Sequence, residues 1–80
     1  MNKEYLINQV ERFCQQYKRE PSEVYKELGA LYQSYYGINI CLEAENTGCY
    51  DICTYLENKG EGFIDRYIIL LNMLKRTIDN

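Results

Sequence analysis

The most apolar stretch of the chain, residues 63–78, has the periodicity of a helix. At about 100° per residue, most of its apolar side chains share one broad face, whereas Ile69 and Met73, extended by Leu70, form a second ridge. The broad face comprises Phe63, Ile64, Tyr67, Ile68, Leu70, Leu71, Leu74 and Ile78. A helix that is apolar on two sides buries each side against a different neighbour, either the other helices of the chain or a partner. The pattern therefore predicts a last helix that is central to the fold, part of a dimer interface, or both.

Two amphipathic segments precede it. Residues 3–19 carry one apolar stripe, formed by Leu6, Ile7, Val10, Phe13, Cys14 and Tyr17, and this pattern predicts a one-sided surface helix. Pro21 suits the first turn of a second helix, where its missing N–H costs nothing. Ser22 or Glu20 is the candidate cap of that helix, and Gly37 is its predicted end.

The second helix has an apolar face and, beside it, a shoulder rich in tyrosine. The predicted core face comprises Val24, Leu28, Leu31 and Tyr35, and the shoulder comprises Tyr25, Tyr32 and Tyr36 with Gly29. Glycine within a helix costs up to about 1 kcal/mol relative to alanine. Gly29 therefore indicates a close approach of another chain segment, either a ligand chain or, as we favour, a neighbouring helix.

The segment from residue 38 to residue 46 fits two patterns. Asn39 can cap a short helix through Glu43, yet Ile38, Ile40 and Leu42 also alternate as in a strand. We favour the helical turn. Thr47 is then the predicted cap of a helix over residues 48–58 that Gly60 ends. The whole pattern predicts one all-α domain over residues 1–80, a compact bundle of about four helices with short connections.

Composition argues against an enzyme. The 80 residues contain no histidine, which is the commonest general base and metal ligand. A chain this short buries only about 60% of the surface that its unfolded form exposes, which leaves little core to support an active-site cleft. Nine tyrosines are the compositional outlier. Tyrosine favours half-buried positions and binding surfaces because its ring is apolar and its hydroxyl needs a partner.

The chain has four cysteines, the number in a common set of zinc ligands, but their spacing does not fit such a site. Cys49 and Cys53 are four residues apart, but Cys14 and Cys41 do not form the second close pair that zinc sites usually show. We therefore interpret all four as small core residues, and we expect no metal and no cofactor.

A divergent helix-turn-helix is the alternative functional motif. Ala44 and Gly48 have the spacing of the small residue and the turn glycine. The second helix would present Tyr50, Asp51, Thr54 and Glu57, and carboxylates repel DNA. A dimer would then need Lys18, Arg19 and Lys26 to contact the phosphates.

Negative charge is concentrated in the middle of the chain. Residues 43–65 contain six acids (Glu43, Glu45, Asp51, Glu57, Glu61 and Asp65) against Lys59 alone, a local charge of −5, while the whole chain carries −3. Such charge is most often a solvated face, and next most often it docks onto a basic protein surface. A divalent cation site is the least favoured reading, because the acids lack the compact alternating loop that calcium requires.

The sequence thus predicts a small non-enzymatic protein-interaction module, an accessory regulator or inhibitor that occupies a macromolecular partner. The alternative is a dimeric nucleic-acid-binding regulator. The predicted partner-binding residues are Ile69, Leu70, Met73, Tyr25, Tyr32, Tyr36, Glu43, Glu45, Asp51 and Glu57. We expect a homodimer formed through the last helix. We also expect a cytoplasmic location without membrane contact, since there is no export signal and the longest apolar run covers only residues 67–71.

Overall fold

The computed structural model describes residues 2–49, 51–60 and 62–79, and over these residues the only regular elements are helices. They are α1 (Lys3–Tyr17), α2 (Pro21–Tyr36), α3 (Ile40–Asn46), α4 (Ile52–Lys59) and α5 (Phe63–Asp79). The all-α prediction is confirmed. The predicted number of about four is one lower than the five found, because the turn predicted near residue 40 is a helix of its own.

The first two helices begin and end close to where their end signals predict. The side chain of Asn2 caps α1 by accepting a hydrogen bond from the backbone N–H of Tyr5 at 3.0 Å. Pro21 opens α2, and Gly37, with a φ of 75°, ends it in the left-handed conformation that glycine adopts readily. Glu20 occupies the N-cap position of α2, but its side chain makes no capping hydrogen bond.

The prediction is correct for the first short helix and wrong for the start of the second. Asn39 caps α3 by accepting from the N–H of Leu42 at 3.1 Å, so the helical interpretation of this segment is confirmed and the strand is excluded. The predicted helix over residues 48–58 starts too early. Thr47 belongs to the end of α3, Gly48 adopts a left-handed φ of 76°, and the true N-cap of α4 is Asp51. A left-handed residue cannot continue a helix.

Helix α5 is the central element. It packs against α1, α2 and α4. Its buried residues are Ile64, Tyr67, Ile68, Leu70 and Leu71. It thus has the predicted central position, which its broad apolar face explains, whereas Ile69 on the second ridge is 53% exposed. No helix in the described ranges combines the length and hydropathy needed to cross a membrane.

The centre of the core is aromatic. Tyr32 and Tyr67 are completely buried, with ring centroids 5.6 Å apart, and Tyr32 also stacks on Phe63 at 5.9 Å. The predicted core face of α2 is wrong for two tyrosines. Tyr35, expected in the core, is 59% exposed, whereas Tyr32, expected on the shoulder, is buried. The two residues are three positions apart on one helix, so a modest rotation exchanges their environments.

Candidate functional site

An open groove of about 520 Å³ lies where α2, α3 and the start of α4 meet. Helix α2 contributes Ser22, Tyr25 and Lys26 to its lining, and α3 contributes Cys41, Ala44 and Glu45. The connection between α3 and α4 and the first turn of α4 contribute Cys49, Asp51, Ile52 and Cys53. We call this feature the thiol groove, because three of the four cysteines of the chain line it.

Sequence reasoning missed this convergence of thiols. It treated the cysteines as separate core residues, since the spacing between Cys41 and Cys49 carries no recognisable ligand signal, and only the packing of α3 on α2 and α4 brings them together. All four cysteines are free thiols. Within the described ranges, no group of three or more cysteine or carboxylate side chains is arranged to hold a metal ion.

Two of the three groove thiols donate hydrogen bonds. Cys53 Sγ donates to the hydroxyl of Tyr25 at 3.3 Å, and Cys49 Sγ donates to the backbone carbonyl of Asp51 at 3.4 Å. Burial raises the pKa of the Cys53 thiol above its ordinary value. Burial, helped by the contact with Cys53, also raises the pKa of Tyr25 far above its ordinary range. Tyr25 and Cys53 are therefore uncharged at neutral pH.

Three charged side chains line the groove, and one of them already serves the fold. Lys26 extends from α2, Glu45 from α3, and Asp51 from the start of α4. The Asp51 carboxylate accepts hydrogen bonds from the N–H of Cys53 at 3.0 Å and from the hydroxyl of Thr54 at 2.9 Å. These bonds, the one from Thr54 first, lower the pKa of Asp51. Lys26 and Glu45 are both exposed.

The predicted acidic surface is divided in the structure. Glu43 and Glu45 are exposed on α3, but Asp51 caps α4 and Glu57 accepts a hydrogen bond from the backbone N–H of Lys3 at 3.1 Å. Lys3 also donates through Nζ to Thr54 at 3.3 Å. Asp51 and Glu57 therefore help to cap α4 and to join it to α1, and Glu61 lies outside the described residues.

A second surface lies along α2 and α5. The Arg66 guanidinium sits 5.6 Å from the ring centroid of Tyr36 and 5.2 Å from that of Phe63, and it donates to the hydroxyl of Tyr32 at 3.0 Å. Ile69 and Met73 follow Arg66 on the same side of α5 at helical spacing. Ile69 is 53% exposed and Tyr36 is 42% exposed. We call this surface, formed by Tyr36, Phe63, Arg66, Ile69 and Met73, the Arg66 strip.

The predicted partner-binding residues therefore fall into separate places. Ile69, Met73 and Tyr36 belong to the Arg66 strip, whereas the half-buried Tyr25 lines the thiol groove. Tyr32 and Leu70 are buried, at 0% and 1% exposure, so the structure corrects their placement on a binding surface and assigns them to the core. Arg66 was not among the predicted residues. The sequence could have indicated it, because Arg66 is the only cation in the first turn of the predicted apolar helix.

The α3–α4 region has some features of a helix-turn-helix. Ala44 is buried at 1% exposure, and Gly48 in the turn has the left-handed φ that this position requires. However, α4 buries Cys53, Tyr55 and Leu56, and the side that it leaves exposed carries the carboxylate of Glu57, with that of Asp51 at its N-cap, and carboxylates repel DNA. Tyr50, predicted for the recognition helix, lies outside the described residues.

Comparison of the chain with protein families, with curated proteins and with solved structures found no match.

Proposed function

We propose that this protein is a small non-enzymatic interaction module that binds a protein partner through the Arg66 strip. The observation that carries the proposal is the fixed position of Arg66, held between two aromatic rings beside an exposed isoleucine. The core of a protein interface is enriched in aromatic residues, methionine and arginine, and the strip contains all three.

Preorganisation supports the same role. A free arginine side chain loses rotamer freedom when a partner immobilises it, and that loss weakens binding. Here the hydrogen bond from Arg66 to the buried Tyr32 and the contacts with Tyr36 and Phe63 have already fixed the guanidinium. The strip therefore presents a rigid arginine beside the exposed Tyr36, and arginine and tyrosine are among the residues that most often dominate binding energy at interfaces.

The partner that we favour first is a second copy of the chain. In an antiparallel pair of α5 helices centred on Ile69, the two isoleucines meet on the two-fold axis. Helix periodicity then places Arg66 beside Met73 of the partner subunit, and the two arginines stay six residues, about 9 Å, apart along the helix axis. The arrangement pairs the exposed apolar side chain with itself and leaves the acidic residues of α3 outside the interface.

The test compares two isoleucine variants on the same helix. Ile69→Glu places a charge in the strip. Ile78→Glu is the matched control, because Ile78 is 40% exposed and, at about 100° per residue, lies on the opposite side of α5. We expect the wild type and Ile78→Glu to sediment as dimers. The dimer of Ile69→Glu should dissociate at least about thirtyfold more readily, the loss typical of a central interface residue.

The same experiment can contradict the proposal. Circular dichroism of both variants shows whether the fold survives the substitution. A wild type that is monomeric and retains no protein from its native lysate argues against an interaction module. Equal dimerisation by both variants, with helix content intact, argues against the Arg66 strip as the interface.

The second candidate function is a nucleic-acid-binding regulator. The observation that favours it is the buried Ala44 followed by the left-handed Gly48 between two helices. Arg19 is paired with Glu27 at 2.5 Å, which leaves Lys18 and Lys26 as the exposed cations predicted to contact phosphates. If this candidate is right, duplex DNA binds at low salt and the affinity falls steeply as salt is added. Absence of binding at low salt removes it.

A further inference from the structure

The thiol groove has hydrogen-bond donors on one side and an acidic side chain on the other. Helix α2 places Ser22, Tyr25 and Lys26 along it, and α3 places Glu45 along it. We propose that the groove binds a small zwitterionic ligand with an apolar body, such as an aromatic amino acid. This inference goes beyond the proposed protein-binding role and does not depend on it, because the Arg66 strip shares no residue with the groove.

The floor of the groove suits an apolar body. It contains Ala44, Ile52 and the thiol of Cys41, and cysteine behaves as a small, polarizable hydrophobe. Tyr25 and Cys53 are uncharged and are engaged with each other. A volume of about 520 Å³ lies within the range typical of small-molecule sites, which combine a mostly apolar lining with a few oriented polar groups.

The α2 side suits a carboxylate. Ser22, Tyr25 and Lys26 are three and four residues apart, so they project from one face of the helix. The Tyr25 oxygen accepts the hydrogen bond from Cys53, which leaves its own O–H to donate to a ligand. Two hydroxyls and an ammonium on one face provide neutral and charged donors for a carboxylate oxygen.

The α3 side suits an ammonium group. Glu45 is exposed at the C-terminal end of α3, where the helix dipole also favours a cation. Asp51 adds a second carboxylate, although it already accepts two hydrogen bonds within the protein. An amino acid carries its ammonium and its carboxylate on one carbon, so a ligand whose α-carbon lies between α2 and α3 satisfies both sides at once.

A groove that offers a cation and an acid to the same ligand favours a free small molecule over a segment of a protein chain. Within a polypeptide, the amine and carboxyl of each residue are joined in neutral amides. A residue inside a partner chain therefore offers an apolar side chain to the floor but has no backbone charge for Lys26 or Glu45. The structure of the groove thus favours an unlinked amino acid or a close analogue.

The test titrates the ¹⁵N-labelled protein with four probes that share a phenyl ring. Phenylalanine carries both charges, hydrocinnamate carries only the carboxylate, phenethylamine carries only the ammonium, and N-acetylphenylalaninamide carries neither. We expect phenylalanine to bind most tightly and to shift the amide signals of Ala44, Cys49 and Cys53. The amide without charges, which imitates a residue inside a chain, should bind most weakly.

Charge-removing variants show which side chain binds each charged group of the ligand. Lys26→Gln should weaken phenylalanine and hydrocinnamate by about two- to fivefold and leave phenethylamine unchanged, as for exposed ion pairs. Glu45→Gln should weaken phenylalanine and phenethylamine by a similar factor. Arg12→Gln and Glu11→Gln on α1 are the matched controls, because these exposed residues do not line the groove.

Each other outcome overturns the proposal. If no probe shifts the groove signals at millimolar concentration, the groove is not a site for this class of ligand. Equal shifts with all four probes reveal an apolar surface without charge recognition. Tightest binding by N-acetylphenylalaninamide would instead identify the groove as a docking site for a segment of a protein chain.

Discussion

The three long helices and the two short ones are held in place by different interactions. Helices α1, α2 and α5 have 15, 16 and 17 residues, and they contribute most of the completely buried side chains. Helices α3 and α4 have only seven and eight residues. Isolated helices shorter than about 12–15 residues are marginal in water, so the short pair depends on its caps and on the long helices beneath it.

Each of the two surfaces arises from one of these groups of helices. The long helices hold side chains rigidly, as in the Arg66 strip, where a buried tyrosine fixes a surface arginine. The short helices cannot cover α2 completely, and the thiol groove opens along the uncovered part. Removing a buried side chain from a long helix should therefore lower the free energy of unfolding more than removing a cap from a short helix.

The largest effect is expected in the long-helix region. Leu28→Ala removes a completely buried side chain from α2 and should lower the free energy of unfolding by about 2–5 kcal/mol. The cost combines the lost burial with the cavity that remains. Urea unfolding monitored by circular dichroism at 222 nm measures it.

Leu42→Ala is the matched control for that comparison. It makes the same change on α3, but Leu42 is 51% exposed, so we expect a change within about 0.5 kcal/mol. Similar losses from both leucines would contradict the distinction between a buried long-helix core and a thin short-helix layer.

The second effect concerns the cap of α4. Asp51→Ala removes the acceptor for the N–H of Cys53 and should cost about 1 kcal/mol, the usual value of an N-cap side chain. Glu45→Ala, which removes an exposed acid that caps no helix, is the control. The difference between the two, measured by urea unfolding, isolates the cap from the loss of charge.

The cap should also be sensitive to pH. Hydrogen bonds to Asp51, the one from Thr54 first, lower the pKa of its carboxyl in the folded state. The stabilisation by the carboxylate is therefore present above the unfolded-state pKa of about 4 and is lost as the pH falls through the folded pKa. We expect the stability gap between the wild type and Asp51→Ala to narrow in acid. A gap that is constant down to the acid transition would show that the charge of Asp51 has no role.

The smallest effect concerns the boundary between the regions. A Cβ on Gly29 would lie 3.4 Å from Cys41 Sγ and 3.6 Å from the Tyr67 hydroxyl, which is ordinary contact. Gly29→Ala should therefore stabilise the protein by up to about 1 kcal/mol through helix propensity. Gly29→Val, whose two methyl groups reach further, should destabilise it. A loss of stability in Gly29→Ala, measured by thermal unfolding, would show that the two regions pack more tightly at α2 than these distances indicate.

Sequence reasoning was most accurate where a local signal acts alone. Pro21, Gly37 and Gly60 mark helix ends by backbone chemistry that does not depend on the rest of the fold, and each is found at the expected place. It failed where two local signals compete. Thr47 and Asp51 are both good N-caps, and the turn at Gly48 selected Asp51.

The all-α class and a central last helix follow from the sequence alone, because apolar periodicity and end signals act over only a few residues. Tertiary packing alone decided that Tyr32 is buried and Tyr35 exposed, since the periodicity of α2 permits either rotation and its neighbours choose between them. Packing alone also brought Cys41, Cys49 and Cys53 to one groove and placed Arg66 against Tyr32. These contacts join residues far apart in the chain, and only the relative placement of the helices defines them.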